Sequence, residues 1–276
     1  VLSALAGGVV ALIVFVIVEA SSLSPMVPLS LFRSRTFSGA NLLTLFLYAA
    51  LGGTLFFLPF NLIAVQDYPP SAAGAAMLPT ILILFLLSRW SGGLINRYGA
   101  KLPLTIGPCI AAVGFALFAL PDSGGSYWTT FFPASVVLGI GMAISVAPLT
   151  TTVMGSVDVH RAGTASGINN AVSRTAGLLA IAVLGIIVLA VFNRSLDSHL
   201  ATLNLPNQVL QSINAQRFKL VSIQIPIGGT TGRLLKQTIK EAFVAGFRAA
   251  TLTSAALALG AALSSLVLIE GKKPNQ

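Results

Sequence analysis

Seven apolar runs divide this chain, at about 2–18, 38–65, 72–90, 102–120, 128–150, 164–192 and 242–269. A bilayer core about 30 Å thick takes roughly 20 apolar residues at a rise of 1.5 Å each, so each run has the length of a membrane crossing. Composition leaves no other home for them. A soluble domain carries about 25% charged residues, whereas this chain is 8% charged and 55% hydrophobic, with a mean hydropathy of +0.89. It cannot cover a water-facing surface. Continuous strands with two-residue alternation are absent, which excludes a membrane barrel. The expectation is an all-α integral membrane protein with seven transmembrane helices.

The net charge of +9 does not point to nucleic acid, because the cations sit singly or in pairs between apolar runs and form no clustered footprint. Their placement sets an orientation. Alternate loops carry Arg33 and Arg35, then Arg89, Arg97 and Lys101, then Arg161, then Lys272 and Lys273. The opposite short loops carry Asp67 and Asp122 and no cation. The positive-inside rule makes the first side cytoplasmic. Segment 193–241 runs against it, with Arg194, Arg217, Lys219, Arg233, Lys236 and Lys240, but long segments translocate with less regard to charge. This segment reads as helix, a short alternating strand at "KLVSIQIPIGG", then helix again. It is either a cap on the outer surface or a gate. The opening residues lack a cationic n-region and a cleavage site, and the first residue is Val1; the chain reads as a fragment that enters mid-protein. Cys109 lies in an apolar run and needs no functional role.

Membrane chemistry usually declares itself by a carboxylate at mid-depth. None is found: Glu19, Asp67, Asp122, Asp158, Asp197, Glu241 and Glu270 all fall at run ends or in loops. H-E-x-x-H is absent and His160 and His199 lie in loops, so neither an intramembrane enzyme nor a metal or other cofactor is expected. Arg174 and Arg248 are read as interface arginines. Eighteen residues separate Arg174 from Phe192, about 27 Å of helix, which puts Arg174 near the inner surface, where it can snorkel; a pore-facing role is the alternative. The same count puts Arg248 at the outer surface. Neutral polar groups remain. Asn41, Thr44 and Tyr48 share one face of the second run, Asn61 follows Pro59 where a kink would expose it, and Ser145, Asn169 and Asn170 occupy the fifth and sixth runs. They either bond helices together or line a pathway. Gly163 and Gly167, continued by Ala171, form a small-residue face suited to close helix contact.

One polar pause, "GGLINRYGAK" at 92–101, reads as a tight turn, with Gly92 and Gly93 permitting close helix approach and Gly99 a positive φ. Its spacing resembles the G-x-x-x-D-R-x-G-R-K loop motif of the major facilitator superfamily. Gly92, Arg97, Gly99 and Lys101 match, while Asn96 stands for the acidic residue and Ala100 for a cation. "PLSLFRSRTFSGANLLTLFLYAALGGTLFFLPF" and "HRAGTASGINNAVSRTAG" are similar to segments of its fourteen-helix drug:proton antiporter branch. The resemblance implies that 1–20 is the last extra central helix and 21–37 a cytoplasmic linker. Residues 38–276 are then the C-terminal six-helix bundle, with an extracytoplasmic segment at about 193–241. It implies two inverted three-helix repeats, of which the sequence itself shows no similarity. It also implies a central cavity along the second, third, fifth and sixth runs, where Phe56 and Phe57 would join Tyr48 as aromatic surface for a lipophilic substrate. In that family the motif's acidic residue belongs to a charge relay, which Asn96 cannot supply in full.

The implied function is the C-terminal half of a proton-coupled exporter of small amphiphilic compounds in the bacterial inner membrane, partnered by lipid and by a missing N-terminal half that supplies the proton carrier. The alternative is a non-transporting scaffold or sensor derived from such a transporter.

Overall fold

A computed structural model describes residues 2–22, 25–201, 203 and 205–271; Lys272 and Lys273, counted above among the cytoplasmic cations, lie outside the described residues. Every apolar run becomes helix, and no strand occurs among the described residues. The first is α1 (Leu2–Ser21), whose side chains from Val10 to Val18 that can be placed are all exposed. Next comes α2 (Arg35–Phe60), capped by the Ser34 hydroxyl, which accepts from the Phe37 amide. The third run breaks into α3 (Pro70–Ala75) and α4 (Leu78–Gly92), Pro70 and Pro79 each standing in a first turn where no amide hydrogen is missed. A single turn, α5 (Leu94–Tyr98), leads to α6 (Lys101–Leu117), and α7 (Phe131–Gly155) follows. Then come α8 (Ala162–Leu200), α9 (Asn207–Ala215) and α10 (Gly229–Leu268).

Five stretches, Arg35–Val65, Pro70–Gly92, Phe131–Gly155, Val159–Leu200 and Gly229–Leu268, are long and apolar enough to cross a membrane; α6 is shorter, at 17 residues. The protein is an all-helical, multi-pass membrane protein. Its packing carries a symmetry that the sequence hides. α6 packs on α7 as α10 packs on α2, and α4 packs on α7 as α8 packs on α2. Exchanging α2, α4 and α6 for α7, α8 and α10 therefore reproduces the main contacts, and the pair α6–α10 lies across the exchange. Three crossings per unit invert the second unit relative to the first, which is the arrangement of an inverted repeat. α8 departs from the pattern by also packing along α10.

Glycines set the closest crossings. A Cβ on Gly141 would meet the Ala111 nitrogen at 2.4 Å, and one on Gly114 would meet the Leu138 backbone at 2.7 Å, so α6 and α7 approach nearly backbone to backbone. Gly52 likewise lies against Gly177, joining α2 to α8. The small-residue face of α8 is not used this way. Added carbons at Gly163 and Gly167 would meet no atom within 4 Å, so that face has no partner here.

Segment 193–241 differs from expectation. α8 continues without a break to Leu200, carrying Asp197 and His199 in helix rather than loop, and α10 already begins at Gly229. "KLVSIQIPIGG" forms no strand: Arg217–Ser222 is a 3-10 turn and 223–228 is extended without a partner strand. Its alternating Ile223, Ile225 and Ile227 instead pack on the bundle's apolar core. Two of the cations that opposed the orientation rule are neutralised by ion pairs, Arg217 with Asp197 and Lys240 with Asp67.

Candidate functional site

α4 and α8 form the unpartnered side of the bundle: 11% and 28% of their apolar stretches are buried, against 56% for α7. Between α2 and α8, on this open side, lies a cleft of about 450 Å³ lined by Tyr48, Leu51, Gly52, Leu55, Ser173, Arg174, Gly177 and Leu178. Within it, Gly52 and Gly177 let the two backbones touch. Tyr48 is half-buried and Arg174 exposed within the cleft.

One and a half turns toward the basic end, Asn169 of α8 donates to Asn41 Oδ1 at 3.2 Å and to Thr44 Oγ1 at 2.6 Å. Asn41 and Thr44 in turn donate to the Phe37 and Ala40 carbonyls of their own helix. Asn41 is 5% exposed and Thr44 fully buried, so these three groups bond α2 to α8 on the basic side of the cleft without lining it. Asn170, one residue on, is exposed. Phe56 extends the aromatic surface of α2 in edge contact with buried Phe57, 5.0 Å between ring centres, and in tilted contact with Phe60.

Other expected pathway residues face inward. Asn61 is 1% exposed and its amide oxygen accepts from Gln66 at 3.5 Å. Pro59 does not kink it into the open; the chain passes from α2 into a wider π turn over Asn61–Val65. Ser145 is fully buried against Gly107 of α6 and donates to the Gly141 carbonyl at 2.7 Å, away from the open side. In the loop 92–101, Gly99 ends α5 at φ 75° and ψ 174°, a region open only to glycine. Arg97 lies over the Tyr98 ring at 5.3 Å, and Asn96 sits within α5. Gly92 does not serve close approach, since an added carbon there would meet nothing within 4 Å. Lys101 opens α6, its carbonyl accepting from Thr105 at 2.8 Å and from Ser265 of α10 at 3.4 Å.

The two arginines part company. Arg248 donates to the Ala119 carbonyl at 2.7 Å and to Asp122 at 2.9 Å, at the end of the bundle opposite Lys101. Arg174 stands level with Tyr48, well inside α8, rather than near a helix end.

Two features escaped the sequence reading. Lys240 is 8% exposed, held by the Val65 carbonyl at 2.9 Å and by Asp67. An aromatic groove of about 440 Å³, lined by Tyr68, Tyr127, Trp128 and Phe132 with Leu78 and Leu82, opens at the end opposite the basic loops. Burial, with Tyr68 nearby, raises the Tyr127 pKa, which keeps its hydroxyl a donor, here to the Ala76 carbonyl at 2.8 Å. The signal for the groove was the clustering of aromatics at run boundaries, where membrane proteins place them.

Residues 1–201 match the family described as Major Facilitator Superfamily. The multidrug resistance protein Stp of Mycobacterium tuberculosis is 31% identical over 191 residues, 67% of this chain and 34% of that protein. The tetracenomycin C resistance and export protein of Streptomyces glaucescens is 29% identical over 269 residues, 95% of this chain and 49% of that protein. The lincomycin resistance protein of Streptomyces lincolnensis is 35% identical over 169 residues, 61% and 35% of the two chains. The chain thus spans about a third to a half of the length of these relatives. Among solved structures, a bacterial homologue of the human lysosomal transporter Spinster, inward-facing and unoccupied, superposes with a TM-score of 0.64 over 87% of this chain and 50% of that one. Its 19% identity speaks for the fold alone.

Proposed function

Because the chain belongs to the Major Facilitator Superfamily, we propose that it is one lobe of a proton-coupled exporter that moves small amphiphilic compounds out across the bacterial cytoplasmic membrane. Residues 38–276 are that lobe, and α1 is an accessory helix before it. A second lobe, within the additional length of the relatives, faces α4 and α8 and brings the proton-carrying carboxylate. Alternating access needs two bundles that rock about a site between them. The observation that carries this reading is the cleft between α2 and α8: apolar walls, the Tyr48 ring, the polar groups of Ser173 and Arg174, and an unpartnered side of the bundle beside it. A pocket of a few hundred Å³ with few polar groups suits a lipophilic ligand bound by shape. Relatives are named for tetracenomycin C resistance and export, lincomycin resistance and puromycin resistance.

The test is accumulation of fluorescent amphiphiles, anionic, neutral and cationic, in cells that express the intact transporter. Expression lowers accumulation, a protonophore abolishes the difference, and Tyr48→Ala reduces it. Equal accumulation with and without expression, across a panel of dyes of different charge, overturns the reading in favour of a scaffold.

A further inference from the structure

Arg174 stands well inside the helical bundle, level with Tyr48. Gly39 packs on Leu268 and Ser265 bonds the Lys101 carbonyl, so these residues mark the basic end. Gly52, which meets Gly177, is 13 residues along α2 from Gly39, or about 20 Å. Arg174 precedes Gly177 by three residues and so stands about 15 Å from the basic end. α6, which spans the bundle from Lys101 to Leu117, is about 25 Å long. Snorkelling serves arginines near helix ends, and Arg174 is not one.

Nor does this chain neutralise it. Among the described residues Arg174 has no hydrogen bond, ion pair or ring contact. Three of the seven carboxylates pair with Lys240, Arg248 and Arg217. Glu241 is bonded to Gln237 beside Asp122 at the far end, and the others stand at helix ends or in loops. An intramembrane cation is expensive unless it meets an anion. The cleft offers room for one, bordered by the guanidinium, the Tyr48 phenol and the Ser173 hydroxyl, with Leu51, Leu55 and Leu178 as apolar walls.

We propose that Arg174, with Tyr48, is the specificity site for the acidic head group of an amphiphilic anion, whose apolar body lies along Leu51, Leu55 and Leu178. The inference rests on the transport reading above and adds the charge class of the substrate. A guanidinium presents paired N–H donors that match a carboxylate or sulfonate, and the apolar walls strengthen that contact by excluding water. The ligand is a soluble amphiphile that is carried, as distinct from a phospholipid that stays.

The experiment compares three probes of one skeleton in proteoliposomes of the intact transporter: 11-dansylaminoundecanoate, its methyl ester and its trimethylammonium analogue. Wild-type protein prefers the carboxylate. Arg174→Gln lowers transport of the carboxylate by about tenfold, the worth of one charge-assisted contact, and leaves the ester within about twofold; Arg174→Lys restores part of the loss. Equal loss for all three probes overturns the proposal, since Arg174 then pairs with a carboxylate elsewhere in the protein. Unchanged carboxylate transport with reduced retention of phosphatidylglycerol also overturns it, in favour of a bound lipid. Transport of the ester by the wild type with no preference for the carboxylate sinks this proposal alone; transport of none of the three sinks the transport reading itself.

Discussion

Asn169 donates a 2.6 Å hydrogen bond to the hydroxyl of Thr44, across the contact between α8 and α2. The same amide reaches Asn41 at 3.2 Å, so one side chain joins two groups on the facing helix. In lipid such bonds contribute about 0.6 kcal/mol on average and up to about 1.7. Asn169→Leu is expected to lower the thermal stability of the protein in detergent by about 1 kcal/mol. Combined with Thr44→Val, the loss should fall short of the sum of the two single losses by about 0.5 kcal/mol. Strict additivity would show that the two groups are not coupled.

Gly52 and Gly163 make a contrasting pair. A Cβ on Gly52 would sit 2.9 Å from the Gly177 Cα, a backbone atom that cannot rotate away, whereas one on Gly163 would meet open space. Overpacking of this kind costs about 1–3 kcal/mol, and the gain in helix propensity from Gly to Ala returns at most about 1 kcal/mol. Gly52→Ala should therefore lower stability. Gly163→Ala should leave this lobe as stable as before. Thermal unfolding of both variants decides it, and a stable Gly52→Ala would mean that the crossing is looser than the structure shows.

Gly99 and Gly92 divide in the same way for a different reason. Gly99 holds φ 75° and ψ 174°, so Gly99→Ala is expected to cost about 1–3 kcal/mol of backbone strain and to raise the rate of proteolytic cleavage between Leu94 and Lys101. Gly92→Ala, at a helical position with nothing nearby, should not change that rate. Limited proteolysis of membrane vesicles from the side that carries the loop reads both.

Hydropathy made the helices legible, because lipid forces the backbone to bond within each crossing and so ties apolar length to secondary structure. It did not locate their ends. α8 runs on through Asp197 and His199 and α10 starts before Lys236, since a helix leaving the membrane becomes polar without ceasing to be helix. Nor did it show which residues on neighbouring helices stand level, as Gly52 does with Gly177, which is what places Arg174 beside Tyr48. The face of Asn41 was read correctly as shared with Thr44, but periodicity cannot distinguish a face turned to a cavity from one turned to Asn169. Lys240 stayed hidden because its partners, the Val65 carbonyl and Asp67, lie more than 170 residues away in the chain.

Tyr48 and Asn41 sit two turns apart on one face of α2, yet only Tyr48 borders the cleft, while Asn41 is 5% exposed. In the intact transporter with Cys109 replaced by serine, Tyr48→Cys should react with water-soluble methanethiosulfonates. Asn41→Cys should react at least about tenfold more slowly, because its thiol would be reached only when α2 and α8 part, a local opening that costs free energy. Reagent charge adds a second discrimination. With Arg174 unpaired beside the cleft, a sulfonate reagent should modify Tyr48→Cys about tenfold faster than a trimethylammonium reagent of similar size, and added salt should shrink that ratio, as for any electrostatically focused encounter. Arg174→Gln should bring the two rates together. Complete protection of Tyr48→Cys from both reagents, with and without substrate, would remove Tyr48 from the pathway; rapid reaction at Asn41→Cys would mean that the bond between Asn169 and Thr44 does not hold α8 and α2 together there.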